Sequence, residues 1–264
     1  MSHPLLSFAL ALLATSCAGS PAESRSATVT TTATASAPAS SSPRQMILVI
    51  TPGWDATSGK LQRFALEDRS WKPIGASFPI TVGRAGLAWG DGLHDPQPGL
   101  AKSEGDGRAP AGIFRIGPAF GYADSDPTAM AYLPMTDAHF CMDVSGSALY
   151  NQIVDSREVG ESAVAGSTEP MRLDLRKPGD QRYRIGFVIE HNASGRAQGG
   201  SCIFAHLWKA PGETTAGCTA MDDTGMRDLL DWLDPGLEPV IVQLPEAEYR
   251  RLRSAWQLPE IQTP

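Results

Sequence analysis

Basic residues are in the minority in this sequence, with 22 Lys and Arg against 29 Asp and Glu, which gives a formal net charge of −7. This balance removes the electrostatic basis for non-specific binding of nucleic acid, and it disfavours docking on anionic lipid. We therefore expect no nucleic-acid partner. Hydrophobic residues at 42% and charged residues at 19% are typical of a globular core, and 264 residues allow one substantial domain with appendages.

The apolar run at the N-terminus, "LLSFALALLA", is too short to span a bilayer. It is uncharged and small residues follow it, as in a secretory signal peptide. The stretch "LLATSC" places Cys17 where the signal would be cut and resembles a bacterial lipobox. We therefore predict that residues 1–17 are a signal peptide and that Cys17 is lipidated. Residues 18–45 are rich in Ser, Thr, Ala and Pro, which predicts a disordered tether.

Cysteine is scarce, and export makes its number informative. The four cysteines are Cys17, Cys141, Cys202 and Cys218. If Cys17 carries lipid, three thiols remain in an oxidising compartment, and at least one of them is unpaired or catalytic. Cys141 and Cys202 both lie in strand-like stretches, and a disulfide between them leaves Cys218 free. The alternative is three buried, reduced thiols.

The pattern after the tether is mostly β. Short apolar, β-branched runs predict strands at 46–51, 59–66, 78–83, 183–192 and 202–208, and residues 83–112 are dense in Gly and Pro, which predicts a long irregular region. A helix is predicted to start at Asp222 or Asp223, and a second short helix is predicted near the C-terminus. The sequence thus predicts one mainly β domain over residues 46–264 with helices in the minority.

The pair of His206 and Cys218 is the strongest candidate for chemistry. A thiol acts as a nucleophile when it is deprotonated, so it needs a nearby base and a lowered pKa. His206 would supply the base, and the helix predicted after Cys218 would lower the thiol pKa through its dipole. The backbone amides of Ala216, Gly217 and Cys218 would form an oxyanion hole. The alternative is a core histidine and a buried cysteine that are close only in sequence.

The stretches "GSCIFAHLW" and "TTAGCTAM", together with "GDGRAPAGIFRI" upstream, resemble the L,D-transpeptidase (YkuD-type) catalytic domain of bacterial cell-wall enzymes. The resemblance implies a β-sandwich of mixed sheets with a few short helices. It makes Cys218 the nucleophile and His206 the base. Ala216 and Ala220 stand where the family commonly has His and Arg, and the loop from His206 to Cys218 is short, which affects substrate selection rather than the chemistry.

The resemblance also implies the substrate and the place of action. Cys218 would attack an amide in a peptidoglycan stem peptide and form a thioester, which an amine or water then resolves. We expect transfer to an amine, and the alternative is hydrolysis by an L,D-carboxypeptidase or amidase. The enzyme would act in the cell envelope, in the periplasm, attached to the membrane through a lipid on Cys17. No cofactor is expected.

Four other residues are candidates for contact with substrate or for support of the site: His191, Arg84, Arg108 and Thr215. The two arginines lie at the ends of the Gly-rich region and would offer basic contacts from a lid, whereas a histidine at a strand end is more often structural.

Two other classes of protein remain open. Cys202, His206 and Cys218, with His191 as a fourth ligand, would make a zinc site, but their spacing is not typical of one, so we predict no metal. A catalytically inactive wall-binding module is the other alternative.

Overall fold

The computed structural model describes residues 42–261. The predicted signal peptide, the lipidation site at Cys17 and the tether up to residue 41 lie outside the described residues. Within residues 42–261 no helix is both long and apolar enough to cross a membrane.

The described part of the chain is mainly β, as predicted. Its strands are β1 (Gln45–Thr51), β2 (Ser58–Glu67), β3 (Ser70–Thr81), β4 (Leu87–Trp89), β5 (Ala109–Gly121), β6 (Tyr132–Pro134), β7 (His139–Cys141), β8 (Ile153–Asp155), β9 (Glu169–Pro170), β10 (Ile185–Ile189), β11 (Phe204–Leu207), β12 (Thr219–Met221) and β13 (Val240–Pro245). The helices are α1 (Ser156–Val159), α2 (Leu173–Arg176), α3 (Asp223–Trp232) and α4 (Glu246–Leu252), with a 3₁₀ turn at Pro235–Leu237.

Ten strands form one mixed sheet. Its order is β10-β11-β12-β3-β2-β1-β13-β5-β4, with β6 beside β5. Because β10 also pairs with β5, the sheet closes into a ring of eight strands. The pairs β1–β13 and β11–β12 are parallel, and β1–β2 and β2–β3 are antiparallel. The predicted fold of mixed sheets with a few short helices is confirmed.

Burial explains why β1 reads as a continuous apolar run. Residues Met46–Val49 are all at most 4% exposed and belong to the main hydrophobic cluster, so both faces of β1 are covered. A strand that is covered on both faces needs apolar side chains at successive positions rather than alternate ones. The predicted strand at 46–51 therefore matches β1 within one residue.

The Gly-rich region at 83–112 is more regular than predicted. It contains β4 and the first four residues of β5, which pair in parallel. The prediction of a long irregular region is therefore wrong for residues 87–89 and 109–112. β4 is too short to produce a periodic pattern, and its pairing with β5 makes it a strand.

A second, three-stranded sheet of order β8-β7-β9 lies outside the ring. Cys141 at the end of β7 is joined to Cys202, 61 residues along the chain. Cys202 immediately precedes the segment that leads into β11, so the bond ties the small sheet to the strand that carries His206. The disulfide belongs to a hydrophobic cluster that also includes Phe120, Phe204 and Cys218.

Candidate active site

His206 and Cys218 are brought together by the pairing of β11 with β12. The two strands run parallel, with His206 opposite Ala220. Because side chains alternate along a strand, Cys218, two positions before Ala220, projects to the same face as Ala220 and His206. Both residues line one cavity of about 260 Å³, which we call the cleft.

The hydrogen bonds of His206 fix which nitrogen is basic. Nδ1 lies 2.7 Å from the carbonyl oxygen of Leu207. A carbonyl oxygen only accepts, so Nδ1 carries the proton and Nε2 has the free lone pair. Among the described residues Nε2 has no hydrogen-bond partner. Burial lowers the pKa of His206 to about 4, so the imidazole is neutral at pH 7 and able to accept a proton.

The Cys218 thiol is buried, with 8% of the residue exposed. Its Sγ accepts a hydrogen bond from the backbone N–H of Phe204 at 3.3 Å, and it donates to the carbonyl oxygen of Cys202 at 3.5 Å. Burial raises the pKa of Cys218 to about 12, and the negative charge of Glu169 adds to the rise. The prediction of a lowered thiol pKa is therefore wrong for the protein without a bound substrate.

The position of α3 explains this outcome. The predicted N-cap is present, since Asp222 Oδ1 accepts from the backbone N–H of Gly225 at 2.7 Å. However, β12 separates Cys218 from the first helical residue, Asp223. Three extended residues span about 10 Å, and the field of a helix terminus falls off within one turn. The helix therefore does not offset the cost of burying a thiolate.

The turn before Cys218 is held by Thr215. Its Oγ1 donates to the carbonyl oxygen of Cys218 at 2.7 Å and accepts from the backbone N–H of Gly217 at 3.1 Å. Because the Gly217 amide already donates to Thr215, it does not contribute to the predicted oxyanion hole in this conformation. Within residues 42–261 the amides of Ala216 and Cys218 have no hydrogen-bond partner, so they are the two candidate donors.

The two arginines differ in their placement. Arg84 is exposed and lines the cleft. The Arg108 guanidinium instead donates to the carbonyl oxygen of Leu87 at 2.9 Å and forms an ion pair with Asp55 at 2.8 Å. Of the two roles predicted for Arg108, contact with substrate or support of the site, these contacts favour support. Arg108 supports the site through its backbone, because a Cβ at Gly217 would approach its carbonyl oxygen to 3.1 Å.

His191 is structural. It is 1% exposed; Nδ1 accepts from the backbone N–H of Asp91 at 3.1 Å, and Nε2 lies 2.9 Å from the carbonyl oxygen of Gly199. Both nitrogens are thus used, and burial lowers the His191 pKa to about 4.

These contacts contradict the zinc alternative. His191 has no free nitrogen and Cys202 is joined to Cys141, so two of the four ligands are lost. Within residues 42–261 no group of three or more His, Cys, Asp or Glu side chains is placed to bind a metal.

Among the cleft residues that sequence reasoning did not single out are Glu169, Arg182 and Tyr183. The Tyr183 hydroxyl donates to Glu169 Oε1 at 2.6 Å, and its ring packs edge-on against His206 with 5.3 Å between centroids. The Arg182 carbonyl oxygen accepts from the backbone N–H of Leu207 at 3.0 Å, which fixes the end of β11. Glu169 and Arg182 lie in segments without periodicity, and Tyr183 begins the predicted strand at 183–192 with no pattern that indicates a role in the site.

The comparisons with known proteins give one family. A model of the YkuD-type L,D-transpeptidase catalytic domain matches residues 61–242, and no curated protein matches the chain. Among solved structures, the chain is similar to the crystal structure of the helical cell shape determining protein Pgp2 from Campylobacter jejuni, with 13% identity and a TM-score of 0.38. The match covers 76% of this chain and 47% of that one, so this chain spans about half of its length.

The family model carries the assignment, because a similarity as weak as that to Pgp2 adds nothing to it. The matched residues make up more than half of the chain and include β3 to β12 and the cleft. His206 and Cys218 both lie within them. The chain therefore belongs to the family of L,D-transpeptidase catalytic domains.

Proposed function

We propose that this protein is a peptidoglycan L,D-transpeptidase that works through a thioester on Cys218. One observation carries the proposal: His206 and Cys218 share a face of the sheet at the cleft, and His206 presents an unprotonated Nε2. The family to which the chain belongs acts on stem peptides of the cell wall, which contain the amide bonds that such a nucleophile attacks.

The pKa values in the free enzyme constrain the first step. With the thiol raised to about 12 and the imidazole lowered to about 4, the resting pair is neutral. The proton therefore passes from Sγ to Nε2 as the sulfur attacks the carbonyl carbon, rather than before substrate binds. The amides of Ala216 and Cys218 stabilise the oxyanion, and His206 returns its proton to the departing amine of the D-amino acid.

The second step is transfer of the acyl group from Cys218 to an acceptor amine. Water is the competing acceptor, and one feature favours it. Ala220 lines the cleft directly opposite His206, so the position next to the base is occupied by a methyl group and leaves space for a water molecule. Hydrolysis by an L,D-carboxypeptidase or amidase is therefore the second candidate function.

A direct experiment distinguishes these activities. The purified protein is incubated with a disaccharide tetrapeptide and a D-amino acid, with Cys218→Ala as the control. Exchanged or cross-linked product supports transfer, and tripeptide alone supports hydrolysis. The enzymatic proposal fails if neither product forms and Cys218 is not acylated by a carbapenem, a class of inhibitor that acylates this family.

Localisation belongs to the same proposal. The apolar run before Cys17 and the composition of residues 18–45 support export to the cell envelope and a lipid on Cys17. Mass spectrometry of the envelope-purified protein should find a diacyl or triacyl glyceryl-cysteine at the N-terminus. An unmodified N-terminus at Ala18 or later would contradict the lipid anchor.

A further inference from the structure

The backbone of Cys202 is left-handed, with a φ of 56°. A non-glycine residue in this conformation costs free energy, so it persists only where its neighbours hold it, and such residues are frequent at active sites. Cys202 is also in direct contact with the nucleophile, because its carbonyl oxygen accepts from Cys218 Sγ at 3.5 Å. The groups that hold Cys202 therefore affect the position of the thiol.

The Asn151 side chain holds the peptide group of Cys202. Its Oδ1 accepts from the backbone N–H of Cys202 at 2.9 Å, and among the described residues no other group accepts from this N–H. Its Nδ2 donates to the carbonyl oxygens of His191 and Asn192 at 2.8 and 2.9 Å. Because both amide protons face carbonyl oxygens, only Oδ1 is left to face Cys202. The orientation of the Asn151 amide is thus fixed by its surroundings.

Asn151 lies behind Cys202 rather than in the cleft. The residues that line the cleft include Cys202 and Cys218 but not Asn151. The backbone of Asn151 is left-handed as well, with a φ of 66°, and asparagine is one of the side chains that tolerate this conformation best. Any influence of Asn151 on the reaction therefore passes through Cys202.

The contact between Cys202 and Cys218 concerns the proton that the reaction moves. The Cys202 carbonyl oxygen accepts the thiol hydrogen, while the backbone N–H of Phe204 donates to the same Sγ at 3.3 Å. A hydrogen bond from the protonated thiol favours the protonated form, so the carbonyl keeps the hydrogen on sulfur until His206 takes it. The disulfide to Cys141 fixes the side chain of Cys202, whereas Asn151 fixes its peptide group.

We propose that Asn151 is a positioning residue for the nucleophile: by holding Cys202 in its left-handed conformation, it aims the Cys202 carbonyl oxygen at Cys218 and so orients the thiol towards His206. This inference rests on the proposed function and adds to it a residue outside the cleft. Because Asn151 does not touch the substrate, its loss should lower kcat and leave KM unchanged.

Asn151→Ala and Asn192→Ala form a matched pair of variants. Asn192 is also left-handed, with a φ of 51°, and its side chain likewise makes three hydrogen bonds, which go to the backbone of Arg196 and Gly200. None of these bonds reaches Cys202. Both substitutions should therefore lower the free energy of unfolding, which denaturant unfolding measures, but only Asn151→Ala releases the Cys202 peptide group.

The first readout is turnover of the disaccharide tetrapeptide per folded molecule. Asn151→Ala should lower kcat by about tenfold, the effect of about one hydrogen bond lost from the transition state, with KM within about twofold. Asn192→Ala should stay within about twofold of wild type in both constants. Similar losses of kcat in the two variants, or a wild-type kcat in Asn151→Ala, overturn the proposal, because Asn151 would then only stabilise the fold.

Asn151→Asp serves if Asn151→Ala does not fold. It keeps an oxygen that accepts from the Cys202 N–H and loses the donations to His191 and Asn192. Its kcat per folded molecule should stay within about threefold of wild type, although its stability falls. A larger loss of kcat overturns the proposal.

Labelling of Cys218 needs no turnover. At about pH 8 the thiolate displaces iodide from iodoacetamide and forms a thioether, and mass spectrometry quantifies the modified peptide. Since the thiol hydrogen has lost its acceptor, Asn151→Ala should be alkylated about three- to tenfold faster than wild type, whereas Asn192→Ala should match wild type. Equal rates in the two variants overturn the proposal. If labelling separates the variants but no peptide is turned over, the proposed function fails and the positioning of Cys218 by Asn151 stands.

Discussion

The regions around His191 and His206 are similar in burial and differ in hydrogen bonding. Both histidines are at most 5% exposed, and burial lowers the pKa of both to about 4. Around His191 both ring nitrogens are used by backbone groups of Asp91 and Gly199. Around His206 the Leu207 carbonyl oxygen takes one nitrogen and the other faces the cleft.

Burial and a shifted pKa therefore do not distinguish the two histidines. Their hydrogen-bond partners do, because a general base needs a lone pair that the protein itself leaves unused. Asn151 adds two hydrogen bonds that hold the backbone around His191, since its side-chain amide donates to the carbonyl oxygens of His191 and Asn192. We therefore expect changes at His206 to reduce activity and changes at His191 to reduce stability.

The largest effect is expected for His206→Gln. Removal of the base should lower kcat/KM by about 10²–10⁴-fold, the usual contribution of general acid–base catalysis. The free energy of unfolding should change far less, because only one hydrogen bond, to Leu207, is lost. Steady-state kinetics and denaturant unfolding on the same preparation test both parts. Retention of full activity would make His206 as structural as His191.

The disulfide lies between the two regions, so its loss should affect both. Cys202 N–H donates to Asn151 Oδ1 at 2.9 Å on the side of His191, and its carbonyl oxygen contacts Cys218 on the side of His206. Cys141→Ser should lower the free energy of unfolding by about 2–5 kcal/mol. Peptide mapping without reductant should find Cys141 joined to Cys202 in the wild type. A free Cys141, or Cys218 in the bridge, would contradict the pairing.

Acid should destabilise the protein through both histidines, because both are buried in the neutral form. Their folded pKa of about 4 is below the unfolded value of about 6.5, so the unfolded state binds more protons as the pH falls. Each histidine should therefore stabilise the protein fully above about pH 6.5 and lose up to about 3 kcal/mol of that contribution towards pH 4. The raised pKa of Glu169 acts in the opposite sense. The free energy of unfolding should fall as the pH is lowered from 7 to 4.5, and it should fall less steeply in His206→Gln. A free energy that does not change with pH would contradict the burial of both histidines in their neutral form.

His191→Leu should have a moderate effect on stability alone. It leaves the backbone N–H of Asp91 and the carbonyl oxygen of Gly199 without their partners, at about 1–3 kcal/mol for each buried group. Activity per reactive Cys218 thiol should stay within about twofold. A loss of kcat comparable to that of His206→Gln would assign a catalytic role to His191.

Thr215→Val should have the smallest effect. Valine keeps the shape but loses the hydrogen bonds to Cys218 and Gly217, each worth about 1 kcal/mol, and it frees the Gly217 amide. We expect a loss of kcat/KM of about tenfold or less. Thr215→Ser, which retains the hydroxyl, is the control and should remain close to wild type; equal losses in both variants would show that the hydroxyl does not matter.

Local sequence determined those features that local chemistry controls. The apolar run of β1, the start of α3 at Asp222 and the candidate pair of His206 and Cys218 could all be read from the sequence, because each depends on residue type and spacing within a short stretch. The short strand β4 could not be predicted, since a distant partner strand stabilises it. The sequence also identified Thr215 as a candidate but not its role.

Only the tertiary structure decided the electrostatics of the site. The sequence places a helix shortly after Cys218, but β12 lies between them, and the thiol is buried next to Glu169 rather than stabilised as a thiolate. Likewise, His191 and His206 both follow or lie in strands, and their ring nitrogens are distinguished only by backbone groups that the fold brings to them. A pKa depends on burial and on charges within a few ångströms, and these neighbours come from parts of the chain that are far apart in sequence.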